Sequence, residues 1–273
     1  MERATSGGHC KKLILRGTIA LVATGTFITA AVAAPPENST LVRRASGVYH
    51  YVPISDPARV RGEERWQLLV HPDGTRDMLV WHDLGARNAQ FTVVHRVSSV
   101  FRPLEVFGNY WDAGHYRGSM HFFINGGSLN AKSLGSAGAR EQKAEVPATF
   151  SITSHMVAVS GWHTASYDDT RGGPQNLMIY TAKTTTDPKK PGLGSLASVR
   201  VERVGIETVD VPAGQFKATH YRFLMENDFW VSGPDRYVES HVWVTGPDRV
   251  VVKSTIPARD NQYLLVELHG PIE

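Results

Sequence analysis

Gly205-Ile206-Glu207-Thr208-Val209-Asp210-Val211-Pro212-Ala213-Gly214-Gln215-Phe216-Lys217-Ala218-Thr219-His220-Tyr221 is the stretch that decides the fold. Glu207, Val209 and Val211 fall on one side of an extended chain, Thr208 and Asp210 on the other. Pro212 presets φ for a turn, and Gly214 accepts a positive φ. Phe216, Ala218, His220 and Arg222 then alternate with Lys217, Thr219 and Tyr221 on the way out. The pattern is a β-hairpin written locally.

The same grammar extends in both directions. Upstream, Glu64 to His71 alternates through Trp66, Leu68 and Val70, and His71-Pro72-Asp73-Gly74 turns the chain into Thr75 to His82. Strand patterns continue at Gly47 to Ile54, Gln90 to Phe101, Leu104 to Trp111, His115 to Ile124 and Ser128 to Lys132, separated by turns such as Asp112-Ala113-Gly114 and Asn125-Gly126-Gly127. Residues 133–147, rich in Gly, Ala and Ser with mixed charge, read as a loop. Ala148 to Thr153 reads as a short strand, and Ser154 as the cap of a short helix over His155 to Trp162. Later strands are expected at Leu177 to Thr185, Ala197 to Val204, Glu207 to Val211, Phe216 to Met225, Arg236 to Thr245, Arg249 to Ser254 and Tyr263 to Leu268. No long amphipathic helix is visible. The expected class is all-β with minor helix: a single large antiparallel curved sheet, a half-barrel or barrel.

The first 33 residues stand apart. Lys11, Lys12 and Arg16 precede and enter a mostly apolar run, and Ala31-Val32-Ala33 is a small-x-small cleavage site. Residues 1–33 therefore read as a signal peptide for general secretion, cleaved near Ala33, and 34–46 as a flexible lead-in to one β domain over 47–273. Removing the leader takes 29 basic and 26 acidic residues to 25 of each, so the formal charge of the remainder is zero. A basic surface for nucleic acid is not implied. The sole cysteine, Cys10, leaves with the leader, which excludes thiol catalysis and Cys-based metal sites from the rest. No later run is long and apolar enough to form a membrane-spanning helix, and the expected location is periplasmic or secreted.

Eleven histidines follow the leader, six of them beside an aromatic: Tyr49-His50, Trp81-His82, His115-Tyr116, His121-Phe122, Trp162-His163 and His220-Tyr221. On a strand, neighbours face opposite ways, so each pair is expected to put its aromatic in the core and its histidine toward solvent. The segment His155 to Asp169 breaks the β pattern and gathers His155, Trp162, His163, Tyr167 and Asp168. If it is functional, His155, His163, Tyr167 and Asp168 supply general acid–base groups. The structural alternative is a capping segment in which Trp162 plugs one end of the sheet. The eight-residue spacing of His155 and His163 supports no metal site, and no cofactor motif is present. Ser160-Gly161 lacks a nucleophile elbow, and the acid pairs Glu63-Glu64 and Asp168-Asp169 read as solvated turn residues. Trp66, Trp81, Trp111, Phe122, Trp162 and Trp243 are the candidates to line an apolar ligand cavity, since a curved sheet must fill its concave face.

The elements Gly205-x-Glu207, Val211-Pro212-Ala213-Gly214-x-Phe216 and the later Trp243 strand resemble exported bacterial domains of unknown function of the lipoprotein-localisation-factor-like half-barrel type. The resemblance covers residues 197–269. It implies an incomplete antiparallel barrel, in some relatives a carrier of acyl chains, and it transfers no functional residue. The leading expectation is a periplasmic barrel-like protein that binds a hydrophobic small molecule, lipid or envelope component without catalysis. The alternatives are a lipocalin-like isomerase, lyase or hydrolase, and a structural envelope assembly partner using an exposed sheet edge.

Overall fold

The computed structural model describes residues 40–85, 88–135, 138–154, 156–182, 193–226 and 237–272. The leader expected over 1–33 lies outside them, as do His155 and Trp230. Among the described residues fifteen strands form one sheet: β1 (Arg43–Val52), β2 (Gly62–Val70), β3 (Arg76–Leu84), β4 (Ala89–Val97), β5 (Pro103–Asp112), β6 (His115–Asn125), β7 (Ser128–Gly135), β8 (Gly138–Glu145), β9 (Ser151–Thr153), β10 (Gln175–Ala182), β11 (Gly194–Val211), β12 (Gly214–Glu226), β13 (Tyr237–Thr245), β14 (Val250–Ile256) and β15 (Asn261–His269).

The order across the sheet is β8-β7-β6-β5-β4-β3-β2-β1-β15-β14-β13-β12-β11-β10-β9. The first strand, β1, thus lies mid-sheet; from it the strands meander outward to β8, cross to the opposite edge and meander back until β15 pairs with β1. All neighbours are antiparallel except β9 and β10. The all-β curved-sheet expectation holds.

Alternation on each strand decides which side is inside. On β1, Ala45, Tyr49 and Tyr51 are buried. Across the ladder Trp66, Leu68 and Val70 of β2 and Met78 and Val80 of β3 continue the same face. Tyr49 and Trp66 stack at 6.1 Å, each burying an area that stabilises by roughly 1.5–3 kcal/mol. The Tyr49 hydroxyl donates to the Val251 carbonyl at 2.7 Å, so its one polar atom is satisfied inside.

Among the described residues no backbone ladder joins the two edges of the sheet. Instead Gln142 of β8 bridges the gap: its Nε2 donates to the Gly194 carbonyl at 3.1 Å, and its Oε1 accepts from the Leu193 N–H at 2.7 Å and the Tyr180 hydroxyl at 3.3 Å.

Several boundaries differ from expectation for physical reasons. β1 begins at Arg43 and takes in the last four residues of the expected lead-in, because Arg43 to Ser46 pair with Val70 to Gln67. The loop expected over 133–147 is instead the end of β7 and all of β8. As an edge strand β8 packs few apolar groups, so its polar sequence carries no periodic signal, and its charges blunt an open edge. The two strands expected over 197–211 are one long β11 with a bulge between Arg203 and Gly205. The expected hairpin is present, with Pro212-Ala213 as the loop, Val211 opposite Gly214, and Gly214 at φ 135°.

Candidate functional site

The helix expected over His155 to Trp162 appears as a 3-10 turn further along, at Ser160–Ser166. With the preceding residues it forms a plug inside the curved sheet. Glu64 of β2 accepts the backbone N–H groups of Ala158 at 2.7 Å and Val157 at 3.1 Å, satisfying two donors that no helix ladder serves. Trp162 is buried and its Nε1–H donates to the Asp248 carbonyl at 3.0 Å. Its indole also meets His95 edge-on and lies 6.2 Å from Phe101. Gly161 passes so close to the Arg249 carbonyl oxygen that a Cβ would overlap it.

Asp248 locks this end of the barrel. Its carboxylate is inaccessible to solvent and accepts Arg43 Nε at 2.6 Å and Arg76 Nε at 2.9 Å. The Arg76 guanidinium covers the Phe101 ring at 4.3 Å, and Arg249 Nη1 donates to Thr164 Oγ1 at 2.8 Å. The plug is therefore tied to β1, β2, β3 and the β13–β14 turn.

A cavity of about 240 Å³ lies against the plug. Met156, Val157, Ser160 and His163 form its plug wall, and Leu84, Ile179, Phe223, Met225, Val242, Ile256, Tyr51 and Tyr263 its apolar sheet wall. Tyr51 and Tyr263 stack at 4.9 Å. Polar groups are sparse: Ser240, Ser254, Asn261 and Arg259. Asn261 Oδ1 accepts from the Tyr51 hydroxyl at 2.8 Å and Arg61 Nη1 at 2.9 Å. An apolar lining with few convergent polar groups is the usual character of a small-molecule site.

Buried titratable groups ring the plug. Burial pushes the Glu64 carboxyl up to about 8 against the pull of its two backbone donors. His82 Nδ1 stands 3.3 Å from Glu64 Oε2. Burial drives His95 down to about 3, helped by the charge of His163, and His163 down to about 4. His163 Nδ1 meets Ser151 Oγ at 3.0 Å, while its Nε2 has no hydrogen-bond partner. A serine–histidine pair without a carboxylate to orient the ring lacks the third element of a hydrolytic triad.

The described candidate acid–base residues make different contacts. His163 borders the cavity. The Tyr167 hydroxyl is occupied by the Gly173 carbonyl at 2.6 Å, and Asp168 is an exposed turn residue accepting from Thr170. The six aromatic candidates do not line the cavity either. Trp66 and Phe122 are core, Trp162 is in the plug, Trp81 is about half exposed, Trp111 packs on Tyr116, and Trp243 stacks on His220. Glu64 reverses the expected solvated acid pair, since it is wholly buried. His82 reverses the aromatic-in pattern: it turns in toward Glu64 while Trp81 turns out. The cavity walls were missed because Met, Val and Ser on a strand carry no signal that separates lining from packing.

No protein-family model and no curated protein matches the chain. Among solved structures, it is similar to a β-barrel-like protein of domain of unknown function DUF1849 from Brucella abortus, at 9% identity and a TM-score of 0.53, over 85% of this chain and 100% of that one. A candidate lipoprotein from Parabacteroides distasonis (10% identity, TM-score 0.33, 82% and 94% covered) and a candidate exported protein with a YmcC-like fold from Bacteroides fragilis (9%, 0.32, 82% and 95%) align more loosely. The first likeness shows the β-barrel-like fold, and it extends well beyond the last third of the chain.

Proposed function

We propose that this is an exported binding protein that takes a small hydrophobic molecule into the cavity between the plug and the sheet, without chemistry on it. The observation that carries the reading is the cavity of about 240 Å³ with a predominantly apolar wall. That volume leaves room for a short acyl or compact ring ligand. Export is supported by the basic, apolar and Ala-Val-Ala pattern of residues 1–33. Among the described residues no helix is long and apolar enough to cross a membrane.

The test is native mass spectrometry of protein isolated from its own envelope, paired with displacement of an environment-sensitive apolar dye. Wild type should carry bound ligand and take up dye, and Val242→Trp, which fills the cavity, should lose at least about tenfold in dye affinity, or 1.4 kcal/mol. A wild type with no ligand and no dye uptake, or a V242W variant that binds equally well, would sink the proposal. His163 at the cavity wall supports the acid–base reading as a second one. That reading requires turnover of a bound molecule that ceases in His163→Phe while binding persists.

A further inference from the structure

The outer face of β11–β14 carries a chain of four ionisable side chains joined by two hydrogen bonds and one ion pair. Glu207 Oε1 lies 3.0 Å from His220 Nδ1, His220 Nε2 lies 2.8 Å from His241 Nδ1, and His241 Nε2 lies 2.9 Å from Glu239 Oε1. The register explains it: His220 is opposite Trp243 and Arg222 is opposite His241, so both imidazoles stand on the same face of adjacent strands. The His220 ring stacks on Trp243 at 4.2 Å, and the indole N–H donates to Glu207. On its other side His220 faces Gly205, which has no side chain to cover the ring.

Proton counting constrains this chain. A carboxylate only accepts, so a ring nitrogen within 3.0 Å of one has to carry its proton to be attracted rather than repelled. Two neutral imidazoles spend both their protons that way, leaving two bare lone pairs facing each other at 2.8 Å. Three contacts need three protons, and a neutral pair has two. Among the described residues no third His, Cys, Asp or Glu completes a metal-binding group here. Charges facing the pair otherwise nearly cancel: Glu207 on β11 and Glu239 on β13 against Arg222 on β12, which also pairs with Glu202 of β11, and Lys253 on β14, which lies over Trp243.

We infer that His220 and His241 form one proton-binding site that holds a single shared proton in the assembled sheet and opens when a second proton is added. The first proton completes the hydrogen-bond chain and is held between two carboxylates. The second makes two imidazolium ions of rings already in contact, so their N–H groups oppose one another and the β12–β13 outer contact parts. Burial first, and then the charge of His241, lower the proton affinity of His220 against the attraction of Glu207. That is the behaviour of a group resisting the second proton.

The experiment is a histidine-resolved NMR titration of the whole protein. Expected is a coupled titration: both rings respond in the same two steps, separated by more than about one pH unit. In His241→Gln the response of His220 should collapse to one step, and Glu239→Gln should lower the upper step. Below the lower step, amides of β12 and β13 should exchange about tenfold faster, the size a one-unit difference in proton affinity supports. Two independent single steps near the ordinary histidine value, or a His220 curve unchanged in H241Q, would overturn the inference. Should H241Q not fold, the wild-type titration decides alone. Zinc binding that removes both titrations would also overturn it, since a metal would then occupy the place given to the proton.

Discussion

Asp248 shows how much a single side chain can hold. Two arginines from distant strands converge on one carboxylate that water does not reach. Removing it leaves two guanidinium groups, both mostly buried, without their anion. Asp248→Ala should cost about 3–5 kcal/mol in denaturant unfolding, the range for breaking a buried pair. A loss below about 1 kcal/mol would place the pair among weak surface bridges. Buried titratable groups set the pH response at the same scale. His95 and His163 have depressed values, so their contribution is present above 6.5 and is lost as pH falls toward about 3 for His95 and about 4 for His163. Glu64 has a raised value, so its contribution is full below 4.5 and is lost as pH rises toward about 8. Together these three groups place the stability maximum near pH 6.5, with an acid limb that runs deeper than the alkaline one. Thermal melts across pH should show this shape, and His95→Phe should flatten the acid limb. An acid limb of unchanged slope in that variant would refute the assignment.

The element that matters most is the plug. Its backbone is held by Glu64 and its close approach depends on Gly161. Gly161→Ala should push the turn away from Arg249, costing about 1–3 kcal/mol as overpacking does, with a change in the near-UV signal of Trp162. An unchanged near-UV spectrum would show that the plug has slack there. The plug also marks how far the sequence could be read. The hairpin at Val211 to Gly214 was legible because turn chemistry is local. Trp162 as a plugging residue was open in the sequence only as the structural alternative to its reading as a ligand-lining residue. Glu64 was not legible: a carboxylate inside a barrel is explained only by the two N–H groups it meets, and those come from 93 and 94 residues away. His220 and Glu207 lay inside the decisive stretch, yet their partners His241 and Glu239 come from another strand, so the proton chain is invisible in either segment alone.

For the molecule as a whole, closure rests on side chains. Gln142 carries three hydrogen bonds across the gap where a barrel would have a ladder. Gln142→Ala should lower global stability by only about 1–2 kcal/mol while raising amide exchange along β8 and the start of β11 above that of β1–β4. Uniform exchange across the sheet in the variant would mean that the gap is held by other contacts.

The central position of β1 has a consequence for the order of assembly. Its partner β2 follows within about ten residues, but its other partner, β15, is more than two hundred residues later. During synthesis β1 to β8 can pair neighbour by neighbour, while one edge of β1, including Tyr49 and Tyr51, stays unpaired until the last strand of the chain arrives. Contact order therefore predicts that the joining of β1 and β15 is the slow, long-range step of folding, to be read as late hydrogen-exchange protection of β15 in pulse-labelled refolding. Until it happens the nascent chain presents an open, aromatic edge at its middle, the surface that a chaperone would have to shield.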